Sequence, residues 1–282
     1  RVAQSTVLII TTGNKVMTTA TVSRDFTQLA CERSLSQPAR KIFTIWTQVW
    51  ILLTVTVMVL FYLGVLDFVN SARASMYLIS IWLNAWILVW FWRRRAGQDK
   101  NELWHDLMVV WILCYAITNI QWEIPWMLFS RVVFENLHTL DDLVAQTDYM
   151  RETPWHLYYW ILSTFGALDL RTVNHNGTFY ALEMFSFVNL AGTLYFFHLN
   201  KKRSPYRYLV VVLSCGELIP ATGIVSVWSL FDNFVNMPGN VWDTLLALVW
   251  TQYQYIIFPL IFGGVASKLM LADWRHCLRQ SG

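Results

Sequence analysis

Long apolar runs separated by short charged turns dominate this chain. A helix needs about 20 apolar residues to cross the hydrocarbon core of a bilayer. Six segments qualify, at roughly 42–66, 76–92, 107–129, 178–199, 208–230 and 244–270. Backbone inside lipid must satisfy its own hydrogen bonds, so each segment predicts a helix. The expected fold class is all-α: an integral membrane helical bundle of about six transmembrane helices. A seventh stretch, 155–168, is shorter and is followed at once by Asp169 and Arg171. It reads as interfacial or re-entrant. No linker-rich stretch or tandem repeat interrupts the pattern. It predicts one membrane domain between a polar N-terminal tail (1–41) and a short C-terminal tail (273–282).

The basic residues set the orientation. With six spans, one face collects the tail (Arg1, Lys15, Arg24, Arg33, Arg40, Lys41), the turn at 93–100, the turn at 201–207, and Lys268, Arg275 and Arg279. That is 17 of the 21 Lys and Arg residues. The other face keeps Arg73, Arg131, Arg151 and Arg171, with an acidic loop over about 130–177. The positive-inside rule then predicts cytoplasmic termini. Counting 155–168 as a full span would scatter the basic clusters over both faces. The tail is rich in Thr and Ser, and its apolar patch at 7–10 is too short for a signal-peptide core. The sequon Asn176-Gly177-Thr178 lies on the acidic side but abuts the membrane.

Composition narrows the function classes. Charged residues make up 14% of the 282 positions, apolar residues 56% and aromatics 16%. That balance excludes a disordered chain and argues against an ordinary soluble enzyme. A formal net charge of +3 is too small to suggest a nucleic-acid partner. Cys31, Cys114, Cys215 and Cys277 lie far apart with no CxxC pair, which predicts neither a disulfide framework nor a thiolate metal site. The six histidines form no HxxxH or HxxHH box, and no Lys lies deep in a span. A membrane di-iron oxygenase and a retinal Schiff base are therefore not expected. Gly-rich phosphate loops, GxSxG and HExxH are absent too, so no cofactor and no metal is expected. Few buried charges and strongly apolar spans disfavour a channel.

Ionisable groups within a bilayer are costly and by default mark function. Three carboxylates fall within the expected spans: Glu123, Glu183 and Glu217. At about 1.5 Å per residue, Glu123 and Glu183 lie roughly 8–9 Å below the outer face. Gln252 and Asn119 lie roughly 12–15 Å below it, and Glu217 about 20 Å. Two carboxyls in one apolar pocket do not both ionise cheaply, so one can hold a proton at neutral pH and serve as an acid. The alternative is structural, with carboxyls hydrogen-bonded to amides or backbone to join helices. Pro125, Pro220 and Pro259 open the ladder of their helices. Trp122, Trp126, Trp228, Trp250, Tyr253 and Tyr255 offer ring faces to a cation, although belt or core packing accounts for most tryptophans. Exposed tryptophan rows suit lipid, a second copy or a membrane-complex partner equally.

The motif Asn119-Ile120-Gln121-Trp122-Glu123, a polar residue one turn before a Glu, resembles the His-x-x-x-Glu of the emopamil-binding protein family and its EXPERA domain. The likeness continues in order over about 105–272. Phe179-Tyr180-Ala181-Leu182-Glu183 is similar to that family's second catalytic Glu. The span beginning at Tyr208, with Gly216-Glu217, resembles the family's Val-Gly-Gln segment, and 252–259 resembles its last span. This implies a four-helix core at 105–272 behind two additional spans at 42–104. It also implies a hydrophobic sterol ligand and a double-bond shift by protonation and deprotonation. Glu123 and Glu183 would be the catalytic pair, with Asn119, Trp122, Glu217, Gln252 and Tyr255 binding substrate. In a eukaryote the membrane would be the endoplasmic reticulum. Asn119 stands where the isomerases have His, and Tyr255 where they have Trp. Asn does not exchange a proton near neutral pH, which gives weight to a divergent substrate or to a non-catalytic sterol- or amine-binding receptor. Asn119-Ile120-x-Trp122-Glu123 also resembles the Asn-Ile-x-Trp-Glu motif of fungal membrane-bound meroterpenoid cyclases, which implies a terpenoid cyclase using the same buried acid.

Overall fold

The computed structural model describes residues 34–97, 99–246, 249 and 252–281. The tail patch at 7–10, Cys31 and Trp250 lie outside the described residues. Helices account for most of the described chain, and no strand occurs among the described residues. Five helices are long and apolar enough to cross a membrane. The protein is an all-α membrane helical bundle.

Local chemistry sets where the helices begin and break. Ser36 caps α1 (Gln37–Tyr62), its hydroxyl accepting from Ala39 N–H at 3.4 Å, with Pro38 in the first turn where no N–H is needed. The turn back passes through Gly64 at φ 75°, a left-handed conformation that glycine adopts without a Cβ penalty. Asp67 then caps α2 (Phe68–Leu83) by accepting from Asn70 N–H at 2.8 Å. Asn84 breaks this passage from α3 (Ala85–Arg95). Its amide nitrogen donates to Ser80 O at 2.7 Å and to the Tyr253 hydroxyl at 2.9 Å, so the break is fastened across the bundle.

The next passage runs through α4 (Lys100–Thr118), a π-helical turn at Asn119–Glu123, and α5 (Ile124–Val133). Pro125 causes the widened turn: its ring crowds the preceding turn and it lacks the N–H that a regular ladder needs. Ile124 N–H reaches back five residues to Asn119 O. Such single π turns often stand at functional sites, and this one carries Asn119, Trp122 and Glu123.

Three short helices and a 3-10 turn follow: α6 (Leu140–Ala145), α7 (Thr147–Glu152), the turn at Pro154–His156, and α8 (Leu157–Ser163). The stretch 155–168 is thus folded into short pieces within a cap, not laid out as one span. Arg151 ties the cap to α1, donating to Phe61 O and Leu66 O at 2.7 Å each and lying over the Phe61 ring. Leu170 N–H donates to Asn236 O at 2.7 Å, which draws the later segment 232–246 into the same cap.

The fourth expected span, 178–199, arrives as two helices, α9 (Gly177–Glu183) and α10 (Phe185–Lys201). At Met184 the ladder tightens: Phe187 N–H bonds Met184 O at 3.2 Å, three residues back. α9 and α10 are not among the five candidate spanning helices, whereas the passage Phe68–Arg95, broken at Asn84, counts as one. α11 (Arg207–Phe231), α12 (Val241–Leu245) and α13 (Gln254–Ser281) complete the chain, with Pro220 and Pro259 inside α11 and α13. α11 packs along α13 and α10, and α13 also packs on α4.

Polar clasps hold both ends. At the terminal end Ser36 donates through its N–H and Oγ to Asp106 at 2.9 and 2.6 Å, and Arg207 pairs with Asp273 at 2.8 Å. At the cap end Arg73 Nε and Nη2 each donate to Asp243 at 2.6 Å, fastening α2 to α12. Asp169 and Arg171 form an ion pair in which each side chain is only 1% exposed.

Candidate functional site

A cavity of about 120 Å³ lies beneath the cap. For scale, an engineered apolar void of about 150 Å³ takes benzene, so this one has room for a group no larger than one aromatic ring. Its polar groups gather on one side. Trp122 and Glu123 come from the π turn; Leu182, Glu183, Phe185 and Ser186 come from the α9–α10 break; Gln252 and Tyr255 come from the start of α13. Leu218, Ala221, Thr222 and Val225 of α11 form an opposing wall, and Phe165 descends from the cap.

Ser186 organises the acids. Its Oγ lies 2.5 Å from Glu123 Oε2 and 3.4 Å from Glu183 Oε2. A serine hydroxyl has one hydrogen and two lone pairs. It therefore bridges two carboxyls only by donating to one and accepting from the other. Glu183 and Ser186 meet because three residues along a helix place side chains on one face, and the π turn brings Glu123 opposite them. Asn119, fully buried, donates from Nδ2 to Ser186 O at 3.3 Å and holds the helix that carries the bridge.

Aromatic rings surround this centre. Trp122 stacks on Trp126 at 5.8 Å and tilts on Phe165 at 5.3 Å. Tyr115 and Tyr255 meet edge to face at 5.6 Å, and both lie within electrostatic reach of the two carboxyls. The arrangement juxtaposes two carboxyls, a hydroxyl and π faces in an apolar void. Carboxyls so paired can hold and pass a proton, and π faces can stabilise a cation. Among the described residues, no group of three His, Cys, Asp or Glu side chains is arranged to hold a metal ion.

Glu123, Glu183, Trp122, Gln252 and Tyr255 come together on the cavity. Asn119 stands one layer behind, as a positioning residue. Glu217, expected among the substrate-binding residues, is not among those that line this cavity. Its neighbour Leu218 does line it, and one residue turns an α-helix by about 100°, so Glu217 points elsewhere. Of the two early spans, α2 also lines the cavity, through Met76, Ile79, Ser80 and Leu83. Sequence reading missed Ser186, Tyr115, Asn189 and Phe165. The i, i+3 relation of Glu183 to Ser186 was the available signal for the first.

No family model, no curated protein and no solved structure matches this chain.

Proposed function

We propose that this protein is a membrane-embedded isomerase of a sterol or terpenoid lipid, shifting a carbon–carbon double bond by protonation and deprotonation. The observation that carries the reading is the single hydroxyl of Ser186 between Glu123 and Glu183 on an aromatic-lined apolar cavity. Because Ser186 donates to Glu123 over the shorter distance, Glu183 is assigned as the acid and Glu123 as the base. Glu183 gives its proton to one alkene carbon, the π pair becomes the new C–H bond, and the neighbouring carbon becomes cationic. Trp122 and Tyr255 face that charge. Glu123 removes a proton from the next carbon, and the released pair forms the shifted double bond. The proton then returns from Glu123 to Glu183 through the Ser186 hydroxyl, so no external acid is consumed. The termini face the cytoplasm in this reading, in keeping with the basic clusters at the terminal end.

The test is lipid extraction and mass spectrometry after expression in a sterol-isomerase-deficient host, wild type beside Glu123→Gln and Glu183→Gln. A new or restored isomer, absent with both variants, supports acid–base catalysis. No change with well-folded protein removes the isomerase and leaves the lipid-binding receptor, which Asn119 at the isomerase His position favours.

A further inference from the structure

A second, smaller void of about 20 Å³ adjoins the first and shares Tyr115, Asn189 and Leu218 with it. It extends toward the terminal end along α10, between Thr193 and Ser214. A volume of at least about 10–15 Å³ holds one water-sized group when two to four polar partners are present. Tyr115, Asn189, Thr193 and Ser214 supply them.

The decisive atom is Asn189 Oδ1. Asn189 is 1% exposed, and its Nδ2 donates to Phe185 O at 3.2 Å. Only the amide nitrogen can bond a carbonyl, so the orientation of the side chain is fixed. Its oxygen is buried without a partner. A buried acceptor left unmatched is unfavourable by roughly 1–3 kcal/mol, which makes the amide oxygen a strong receptor for a donor. Size is limited by Gly192, where an added Cβ would come within 2.8 Å of Ser214 Oγ.

We propose that this second void is a subsite for one hydroxyl group, donated to Asn189 Oδ1, and that the ligand of the main cavity is a free lipid alcohol. The inference rests on the isomerase reading for the presence of a lipid in the first cavity. Six residues separate Glu183 from Asn189, so hydroxyl and reacting carbons lie about 9 Å apart along the helix axis. An ether lacks the hydrogen and an ester also lacks the room, so both are excluded. The same hydroxyl chemistry has two sources, a lipid alcohol or water, and the experiment separates them.

Binding is measured by tryptophan fluorescence of the full chain in nanodiscs, using farnesol and cholesterol, each beside its methyl ether. The expected result is at least about ten-fold tighter binding of one free alcohol than of its ether, equal to 1.4 kcal/mol. That preference should vanish in Asn189→Leu and shrink in Gly192→Ala, the smaller change. Equal binding of alcohol and ether by wild type means that only water uses the void, and overturns the proposal while leaving the isomerase reading intact. A preference that survives both substitutions overturns it too. Failure of all four probes to bind overturns the proposal, while the isomerase reading stands or falls on its own lipid-extraction test.

Discussion

Ser186 Oγ stands 2.5 Å from Glu123 Oε2 although 63 residues separate them in the chain. Their meeting depends on two irregularities, the π turn before Pro125 and the break at Met184. If Ser186 returns the proton between turnovers, Ser186→Ala should lower kcat by about 10–100-fold with a smaller change in KM, matching the loss of one buried hydrogen bond of about 1–3 kcal/mol. Ser186→Thr, which keeps the hydroxyl, should recover most of the rate. Steady-state kinetics on reconstituted protein checks both.

The Asp169–Arg171 pair is expected to govern stability rather than chemistry. Arg171 also donates to Val225 O at 3.4 Å and lies over the Trp228 ring at 5.2 Å. Arg171→Met leaves a buried carboxylate unmatched and should destabilise by about 3–5 kcal/mol. The double substitution with Asp169→Leu should be less harmful than the single one. Thermal unfolding in detergent distinguishes them, and a single variant as stable as wild type would contradict the buried pair.

Acid should loosen helix starts in the cap end first. Backbone and side-chain hydrogen bonds from His138 and Thr139 hold Asp142 below the ordinary carboxylate pKa, and Asn70 does the same for Asp67. A depressed carboxylate stabilises the fold above its unfolded pKa of about 3.9, and this stabilisation is lost as pH falls through the lower folded value. Amide exchange over 139–145, corrected for intrinsic rates, should therefore rise below about pH 4. Asp142→Asn should flatten that rise.

The proposed orientation predicts which thiols react from which side. Cys277 is exposed near the end of α13, whereas Cys114 and Cys215 are buried. In sealed cells an impermeant maleimide should spare Cys277 and label a cysteine placed at the exposed Val144 of the cap. The reverse pattern would invert the topology.

Much of this architecture is legible in the chain because apolar runs and charged turns are local signals. The apolar runs locate the helices but not their starts: Ser36 and Asp67 cap helices that begin before the runs at 42 and 76. The shared depth of Glu123 and Glu183 follows from counting residues. Depth says nothing of rotation about the helix axis, which is why Glu217 was placed in the site while Leu218 occupies it. The cap was legible only as a region that is not a span. Its shape depends on contacts such as Arg151 to Phe61 O and Leu170 to Asn236 O, across 90 and 66 residues. Ser186 and Asn189 lie within an apolar helix where a small polar residue carries no distinctive signature. Only the orphaned or shared hydrogen bonds around them reveal a use.

The break at Met184 bears on how a ligand's concentration is to be counted. Phe185 lines the main cavity and is 42% exposed on the outer surface of the bundle, while the cap above is clasped by ion pairs at Arg73 and Arg171. In the proposed reading, the cavity wall at Phe185 faces hydrocarbon at the side of the bundle. If the ligand is the proposed lipid, its supply is counted per surrounding lipid, not per litre. Occupancy then follows mole fraction in the membrane: diluting proteoliposomes with buffer leaves it unchanged, and diluting the ligand with inert phospholipid lowers it.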